Sequence, residues 1–528
     1  MYKIFSILIF ILSTQVANAQ DKFWITFTDK DVAGYNYEHH LSSRTINNRQ
    51  RFNLPLYQYT DVPVKSAYLD SLSSLGIKII AKSKWLNSVS CTLTKEQYES
   101  LVQKPYVAEI NSISNNIIIT SSSAVVNPEY MHAAMNQMGL RHFLKESLTG
   151  EGVSIGVIDA GYYQAHTEKY LTHVFREQRI MGQKDFVNPE RTDLCTTKVT
   201  SSDYHGNWVL KMIAGYDEGT RVQYGMAPNA KLYLARTENG DREYRGEEDL
   251  WISAMEWMDS LGVRLINTSL GYAIKMDDPN DNYRQEEMDG KTARITKAAQ
   301  IASDEKGIFL VVSAGNEGSN PSWRIVSAPA DAEGVLSVGA TKEKTAERID
   351  YSSIGPEFLP YLKPDVSCYS PNGTSFSAPA VTGFVACLMQ KDSTLSNKEL
   401  KEIIQKSGHL YPYGNNYLGY GIPQADRALK LIQDRNSGVR NTKEMVVKGA
   451  DVRLKFDQQY PKDAVVFHKK SETIVVKQEV VGFKKMKGFP GNIFGKAPYY
   501  SIIVKRTPGT KRSTISVGDQ VIEVIWEE

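Results

Sequence analysis

The stretch Asn372-Gly373-Thr374-Ser375-Phe376-Ser377-Ala378-Pro379-Ala380-Val381 runs from a glycine turn into an apolar helix. Ser375 falls at the amino-terminal end of that helix. Backbone N–H groups there lack partners, and the helix dipole favours negative charge. Small neighbours let a carbonyl approach closely. Gly-Thr-Ser alone is a weak signal, since serine is a common helix cap. The ten-residue string is a strong one. A serine nucleophile needs a base, a group that orients the base, and donors for a developing oxyanion.

Three further segments supply those groups. Val157-Ile158-Asp159-Ala160-Gly161 is an apolar strand ending in Asp, which can hold an imidazole by its Nδ1–H; an isolated Asp-x-Gly is more often a turn. Asp203-Tyr204-His205-Gly206-Asn207-Trp208-Val209 places His205 before a helical stretch, Trp208 to Ala214, with Gly206 leaving space beside the ring. Of the nine histidines, the nearest rival is His166, seven residues after Asp159 and too local to bridge Asp159 and Ser375. Val312-Ser313-Ala314-Gly315-Asn316-Glu317-Gly318 ends a strand in small residues and one amide; the bland alternative is a Gly-Asn turn. Each motif is weak alone. Together they are strong, in an order that differs from two other known triad orders.

The surroundings support an α/β domain from about Tyr130 to Asp434. Short apolar runs at Val153 to Ile158, Lys231 to Ala235, Leu265 to Ile266, Ile308 to Val312 and Val335 to Val338 predict buried strands. Helical stretches lie between them, including Glu248 to Leu261 and Ala293 to Glu305. Such alternation predicts a parallel sheet, with chemistry at the carboxyl ends of strands.

Before this domain, residues 21–120 read as a small α+β unit. Strand patterns at Lys22 to Phe27, Ile77 to Ala81, Ser88 to Leu93 and Val107 to Ile110 enclose helices at Ala67 to Leu75 and Thr94 to Leu101. A basic, turn-rich segment covers Leu41 to Gln50. Polar residues from Asn111 to Pro128 predict a linker. After it, residues 440–528 read as a small all-β domain, with strands at Met445 to Lys455, Ala464 to His468, Thr473 to Val481, Tyr499 to Lys505 and Val521 to Trp526.

A chain of 528 residues is too long for one core. Its 62 basic and 60 acidic side chains leave a net charge of +2, which gives no electrostatic case for nucleic acid or an anionic membrane. Residues 1–20 carry Lys3, an apolar run from Ile4 to Leu12, and Ala17-Asn18-Ala19, the pattern of a secretory signal peptide. The run is too short to span a bilayer comfortably, and the product is expected outside the cytoplasm, extracellular or periplasmic/cell-surface. The four cysteines form no C-x-x-C pair. Cys387 reads as a buried free thiol. Cys195 and Cys368, read as loop residues, are not expected to pair. No His-Glu-x-x-His occurs, which disfavours a metallopeptidase.

These residues resemble the subtilisin-like serine peptidases, the subtilases. Gly373 to Pro379 is similar to their Gly-Thr-Ser-Met-Ala-x-Pro motif, Val157 to Gly161 to their Asp motif, and Tyr420-Gly421-Ile422-Pro423 to their closing segment. The resemblance implies Asp159, His205 and Ser375 as a triad and Asn316 in the oxyanion hole. It also implies Ser269, Leu270 and Gly271 along one wall of the specificity pocket and Ala314 and Gly315 along the other. It further implies a parallel sheet flanked by helices, residues 21–120 as a propeptide that inhibits intramolecularly, and a cut between Asn111 and Pro128. Partners would be protein or peptide substrates. No cofactor is required; structural calcium occurs in the family, but Asp277 to Asp281 reads better as a solvated loop. There are departures. The family's His-Gly-Thr-His is His205-Gly206-Asn207-Trp208 here, so helix packing must differ. Ala380 replaces a common His. The segment from Asp365 through Pro371 to Ser375 is shorter than usual. Tyr272 replaces a glycine beside the pocket and is expected to narrow it or reshape its rim. The alternative is a catalytically silent fold used for binding or surface adhesion.

Overall fold

The computed structural model describes residues 21–113, 128–240, 246–274, 276, 282–434, 441–457, 460, 463–486 and 499–527. The expected signal peptide, the acidic stretch Asp277 to Asp281 and most of the expected linker lie outside them.

The first unit contains β1 (Asp21–Phe27), α1 (Ser43–Arg51), α2 (Ser66–Ser74), β2 (Ile79–Ser83), β3 (Ser88–Leu93), α3 (Lys95–Val102) and β4 (Val107–Ile113). Its sheet has the order β2-β3-β1-β4. The alternation of β1 separates two faces. Ile25 and Phe27 join Leu72, Val89 and Leu101 in the unit's own core. Trp24, on the opposite face, packs with Trp85 into the core of the next domain. Helix α3 starts as its sequence predicts, with Thr94 accepting from Gln97 N and the Gln97 side chain returning to Thr94 N. The segment expected to be turn-rich instead contains α1, capped by Ser42, whose Oγ accepts from Thr45 N.

The central domain opens with α4 (Pro128–Gln137) and α5 (Leu140–Lys145). It continues through β5 (Ser154–Asp159), α6 (Thr172–Arg176), β6 (Ile180–Asp185), α7 (His205–Ala214) and a short hairpin, β7 (Tyr216–Asp217) with β8 (Val222–Gln223). Next come β9 (Lys231–Arg236), α8 (Glu247–Ser260), β10 (Leu265–Thr268), α9 (Arg294–Asp304), β11 (Phe309–Ser313), β12 (Leu336–Thr341) and β13 (Val366–Tyr369). Helices α10 (Thr374–Lys391), α11 (Asn397–Ser407) and α12 (Ala425–Gln433) complete it. The seven strands order as β13-β12-β11-β10-β5-β9-β6, every adjacent pair parallel. Near-continuous apolar strands suit a sheet covered on both faces. One face packs on α7 and α10 through Val209, Ile213, Val381 and Phe384; the other packs on α8 and α9 through Trp251, Met255, Ala298 and Ala302. Cys368 lies within β13 rather than in a loop. All four cysteines are buried and free.

The last unit holds two sheets. The first, of order β14-β21-β20-β16-β17, contains β14 (Asn441–Lys448), β16 (Ala464–Lys469), β17 (Val475–Val481), β20 (Arg512–Val517) and β21 (Gln520–Glu527). The second, β15-β19-β18, contains β15 (Asp451–Phe456), β18 (Lys484–Met486) and β19 (Tyr499–Lys505). The expected single strand Met445 to Lys455 is therefore two strands in two sheets. Gly449, at a φ of 123°, makes the turn between them. Phe467, Val475 and Val521 pack into the central domain.

Candidate active site

Asp159 is the last residue of β5, between β9 and β10, and is fully buried. Its Oδ1 accepts from Ala160 N at 2.8 Å and from His205 Nδ1 at 2.6 Å. That bond leaves Nε2 as the basic nitrogen of a neutral ring. His205 begins α7, whose first turn lies against the Asp loop: Gly206 N donates to Gly161 O at 2.8 Å. A Cβ on Gly206 would sit 2.4 Å from that carbonyl oxygen. The space left by Gly206 is taken up by the Gly161 backbone and the Tyr162 ring. Burial of His205 opposes its protonation, but the charge and hydrogen bond of Asp159 outweigh it and hold the imidazole pKa above its ordinary 6.5. His166 is exposed, on a separate short helical turn, with its ring against Phe175.

Beneath this pair lies a buried ionic cluster that sequence reading missed. Arg236, the last residue of β9, is fully buried. Its Nε donates to Ala160 O at 3.0 Å and to Asp203 Oδ1 at 3.3 Å, and its Nη1 reaches Asp185 at 3.2 Å. Asp203 Oδ2 also accepts from Val199 N at 2.6 Å, and its Oδ1 from Thr200 Oγ1 at 2.9 Å. One guanidinium therefore ties the residue after Asp159 to the loop that delivers His205. The only local signal is a charged residue closing an apolar strand.

Ser375 is the second residue of α10, after Gly373 at a φ of 131°. Thr374 N donates to Asn316 Oδ1 at 2.8 Å, and Thr374 Oγ1 donates to the same oxygen at 3.0 Å. Because a backbone N–H only donates, the Asn316 amide is oriented unambiguously, with Nδ2 as its available donor end. Ser375 Oγ donates to Ser269 O at 3.1 Å, and Ser269 Oγ donates to Ser375 O at 2.9 Å. Phe376, the next residue, lies beside the His205 ring at 5.6 Å between centroids, with Trp208 edge-on to it at 6.1 Å. The departure at Trp208 is thus absorbed by an aromatic stack against the serine helix.

The two expected pocket walls are also adjacent. Ser269 to Gly271 continue from the end of β10, and Ala314 and Gly315 from the end of β11. Both glycines approach Ser327 closely: an added Cβ would lie 2.3 Å (Gly271) or 2.9 Å (Gly315) from its Oγ. Leu270 is half-buried. Tyr272 is buried, bonded through its backbone to Ala328 in both directions, and its Oη donates to Glu238 Oε1 at 2.8 Å. Burial pushes the Glu238 carboxyl above its usual range, against the hydrogen bonds from Tyr272 and Thr237.

A profile of the Subtilase family matches residues 150–421, more than half of the 528 residues. The chain belongs to the subtilase family. A second profile, the Peptidase S8 propeptide domain of Bacteroidota, matches residues 22–129 of this subtilase. Subtilisin DY of Bacillus licheniformis is 30% identical over 282 residues, covering 51% of this chain and 89% of the relative. Subtilisin NAT of Bacillus subtilis subsp. natto is 27% identical over 365 residues, covering 67% and 83%. The crystal structure of the epidermin leader peptide processing serine protease of Staphylococcus aureus matches the fold with a TM-score of 0.52 at 15% identity, over 79% of this chain and 100% of that one. Its S393A mutant gives 0.55 at 14% identity over the same shares. The chain is a subtilisin-family serine protease with a subtilisin-like α/β fold and an N-terminal propeptide domain.

Proposed function

We propose that this subtilase is an exported, self-processing endopeptidase that cleaves proteins through an acyl-enzyme on Ser375. The observation that carries the reading is the 2.6 Å bond from His205 Nδ1 to a buried Asp159, at a strand end facing the start of the Ser375 helix. In the reacting complex the Ser375 hydroxyl leaves the Ser269 carbonyl and donates to His205 Nε2. Its Oγ attacks the peptide carbonyl carbon, and the proton passes to Nε2. The imidazolium then protonates the departing amine as the C–N bond breaks. Water repeats the sequence, giving its proton to His205 and releasing the acyl group from Ser375. Asp159 keeps the productive tautomer and stabilises the imidazolium. Asn316 Nδ2 and the Ser375 backbone N–H donate to the oxyanion.

Extended substrate pairs with the backbone of Ser269 to Gly271, and its side chain enters between that wall and Ala314-Gly315. Residues 21–120 inhibit the enzyme until a cut between Asn111 and Pro128. Residues 1–20 direct export and are removed after Ala19 or Gln20. Among the described residues no helix is long and apolar enough to cross a membrane.

The test compares wild type with Ser375→Ala by intact mass and casein hydrolysis. Expected is loss of about the first hundred-odd residues and digestion by wild type only. If both variants process alike and neither digests casein, the chain is a binding protein on a subtilase scaffold.

A further inference from the structure

The segment between β1 and α2 does not lie where the propeptide sheet lies. The sheet packs along α8 and α9: Ser83 Oγ donates to Glu256 Oε1 at 2.7 Å, and the Arg294 guanidinium sits 5.4 Å from the Trp24 ring. Residues 37–61 instead form an arm across the carboxyl ends of the same helices. The last carbonyls of a helix have no partner within it. Here the arm supplies the donors. Ser42 N bonds Ser260 O at 3.2 Å, Thr45 Oγ1 bonds Asp259 O at 2.8 Å, and Asn48 Nδ2 bonds Gly262 O at 3.1 Å.

A charge cluster closes the contact. Arg49, fully buried, bonds Asp61 through two nitrogens at 2.7 and 2.9 Å and reaches Asp259 at 3.5 Å. Lys306 Nζ lies 3.0 Å from Asp61 Oδ1 and donates to Thr60 Oγ1 at 2.6 Å. Asp259 and Lys306 belong to the protease domain. Their partners Arg49, Lys84, Asp61 and Thr60 belong to the propeptide, apart from Glu305, 3.7 Å from Lys306. On the flank, Phe52 stacks under the Arg264 guanidinium at 3.8 Å.

We infer that residues 37–61 are a second anchor that holds the propeptide on the protease domain after the chain between them is cut, by capping the carboxyl end of α8 and by tying it to Lys306, just past α9, through the Arg49-Asp61-Lys306-Asp259 cluster. The inference rests on the maturation reading above, since it concerns the noncovalent complex that such a cut leaves. Withdrawal of the arm uncovers carbonyls at the end of α8, takes Arg49 and Lys84 from Asp259, and leaves Lys306 with the longer contact to Glu305 in place of Asp61. Truncating one partner of such a buried pair acts mainly on the dissociation rate.

The test uses the full chain with Ser375→Ala, an external protease's recognition sequence placed within residues 116–122, and immobilisation by the carboxyl terminus. After external cutting, the N-terminal fragment remaining under buffer flow is followed with time. Expected is retention for hours with the native arm, and release about 10²-fold faster with Arg49→Met or Asp259→Asn, with the uncut variants still folded at the temperature of the measurement. Release at the parental rate, or immediate loss of the native fragment on cutting, overturns the inference. Should the charge variants fail to fold, Thr45→Val with Asn48→Ala leaves the cluster intact. That pair should speed release about tenfold, and an unchanged rate overturns the inference equally. Failure of the wild-type chain to cut itself would sink the maturation reading alone, because the external cut does not depend on Ser375.

Discussion

Ser269 and Ser375 hydrogen-bond each other reciprocally, each hydroxyl donating to the other's backbone carbonyl, at 2.9 and 3.1 Å. Pro379 makes half of this possible. It lies four residues along α10 from Ser375 and has no N–H, so the Ser375 carbonyl lacks its helical donor. Ser269 Oγ takes the vacancy. The segment after β10, the proposed pocket wall, is thereby joined to the first turn of α10. Ser269→Ala should leave that carbonyl short of a donor, lower stability by about 1–3 kcal/mol and reduce kcat roughly tenfold. Urea unfolding and steady-state kinetics on a peptide substrate measure both. An unchanged kcat would detach Ser269 from nucleophile placement.

Asn316→Ala removes the Nδ2 donor and the acceptor of both Thr374 bonds. The expected result is a fall in kcat of about 10²–10³ with KM little changed, a magnitude taken from the equivalent amide of subtilisin itself. A rise in KM at constant kcat would place Asn316 in ground-state binding instead.

The pH dependence follows from His205. Its pKa is raised above 6.5, because Asp159 outweighs burial. In the proposed mechanism the base is the neutral ring, so kcat/KM should climb with pH through a midpoint above 6.5. For stability the sign is the reverse: the folded chain holds this proton more tightly than the unfolded one, so the contribution is full below pH 6.5 and fades as pH rises through the folded value. Asp159→Asn should move the kinetic midpoint downward and cut kcat about 10⁴-fold. A midpoint that stays in place would mean that another group controls the acid limb.

Arg236→Met strips the guanidinium from Asp185 and Asp203, which keep hydrogen bonds from Val187, Asn188, Val199 and Thr200 but, as counter-charge, the longer contacts of Arg191 at 3.5 and 3.8 Å. Destabilisation of about 3–5 kcal/mol is expected. Because Asp203 stands two residues before His205, kcat should fall as well, with partial recovery in Arg236→Lys. Thermal unfolding and kcat together check this. A variant as stable and as active as wild type would reduce the cluster to packing.

The local signals in the chain sufficed for the α/β fold and for naming the groups of the candidate site. Apolar runs that end in Asp159 or in Ala314-Gly315-Asn316 mark strand termini directly, since buried parallel strands tolerate little polarity before their ends. The capping box at Thr94 and the apolar start of α10 are equally local. Helix α1 escaped notice for the opposite reason. Its buried residues are Thr45 and Arg49, one turn apart and both polar, because the surface they cover consists of carbonyls and a carboxylate. A search for an apolar stripe passes over such a helix.

What the sequence alone determined was the inventory: which strands are buried, which residues stand at their ends, and the order Asp159, His205, Asn316, Ser375. The tertiary structure decided who pairs with whom. Asp159 with His205, Arg236 with Asp203, Ser269 with Ser375 and Arg49 with Asp259 are separated by 46, 33, 106 and 210 positions. Periodicity and capping act within a turn or two of the chain. Contacts at those separations exist only because the sheet order and the helix packing bring distant backbones together, and no residue carries that information in its neighbours.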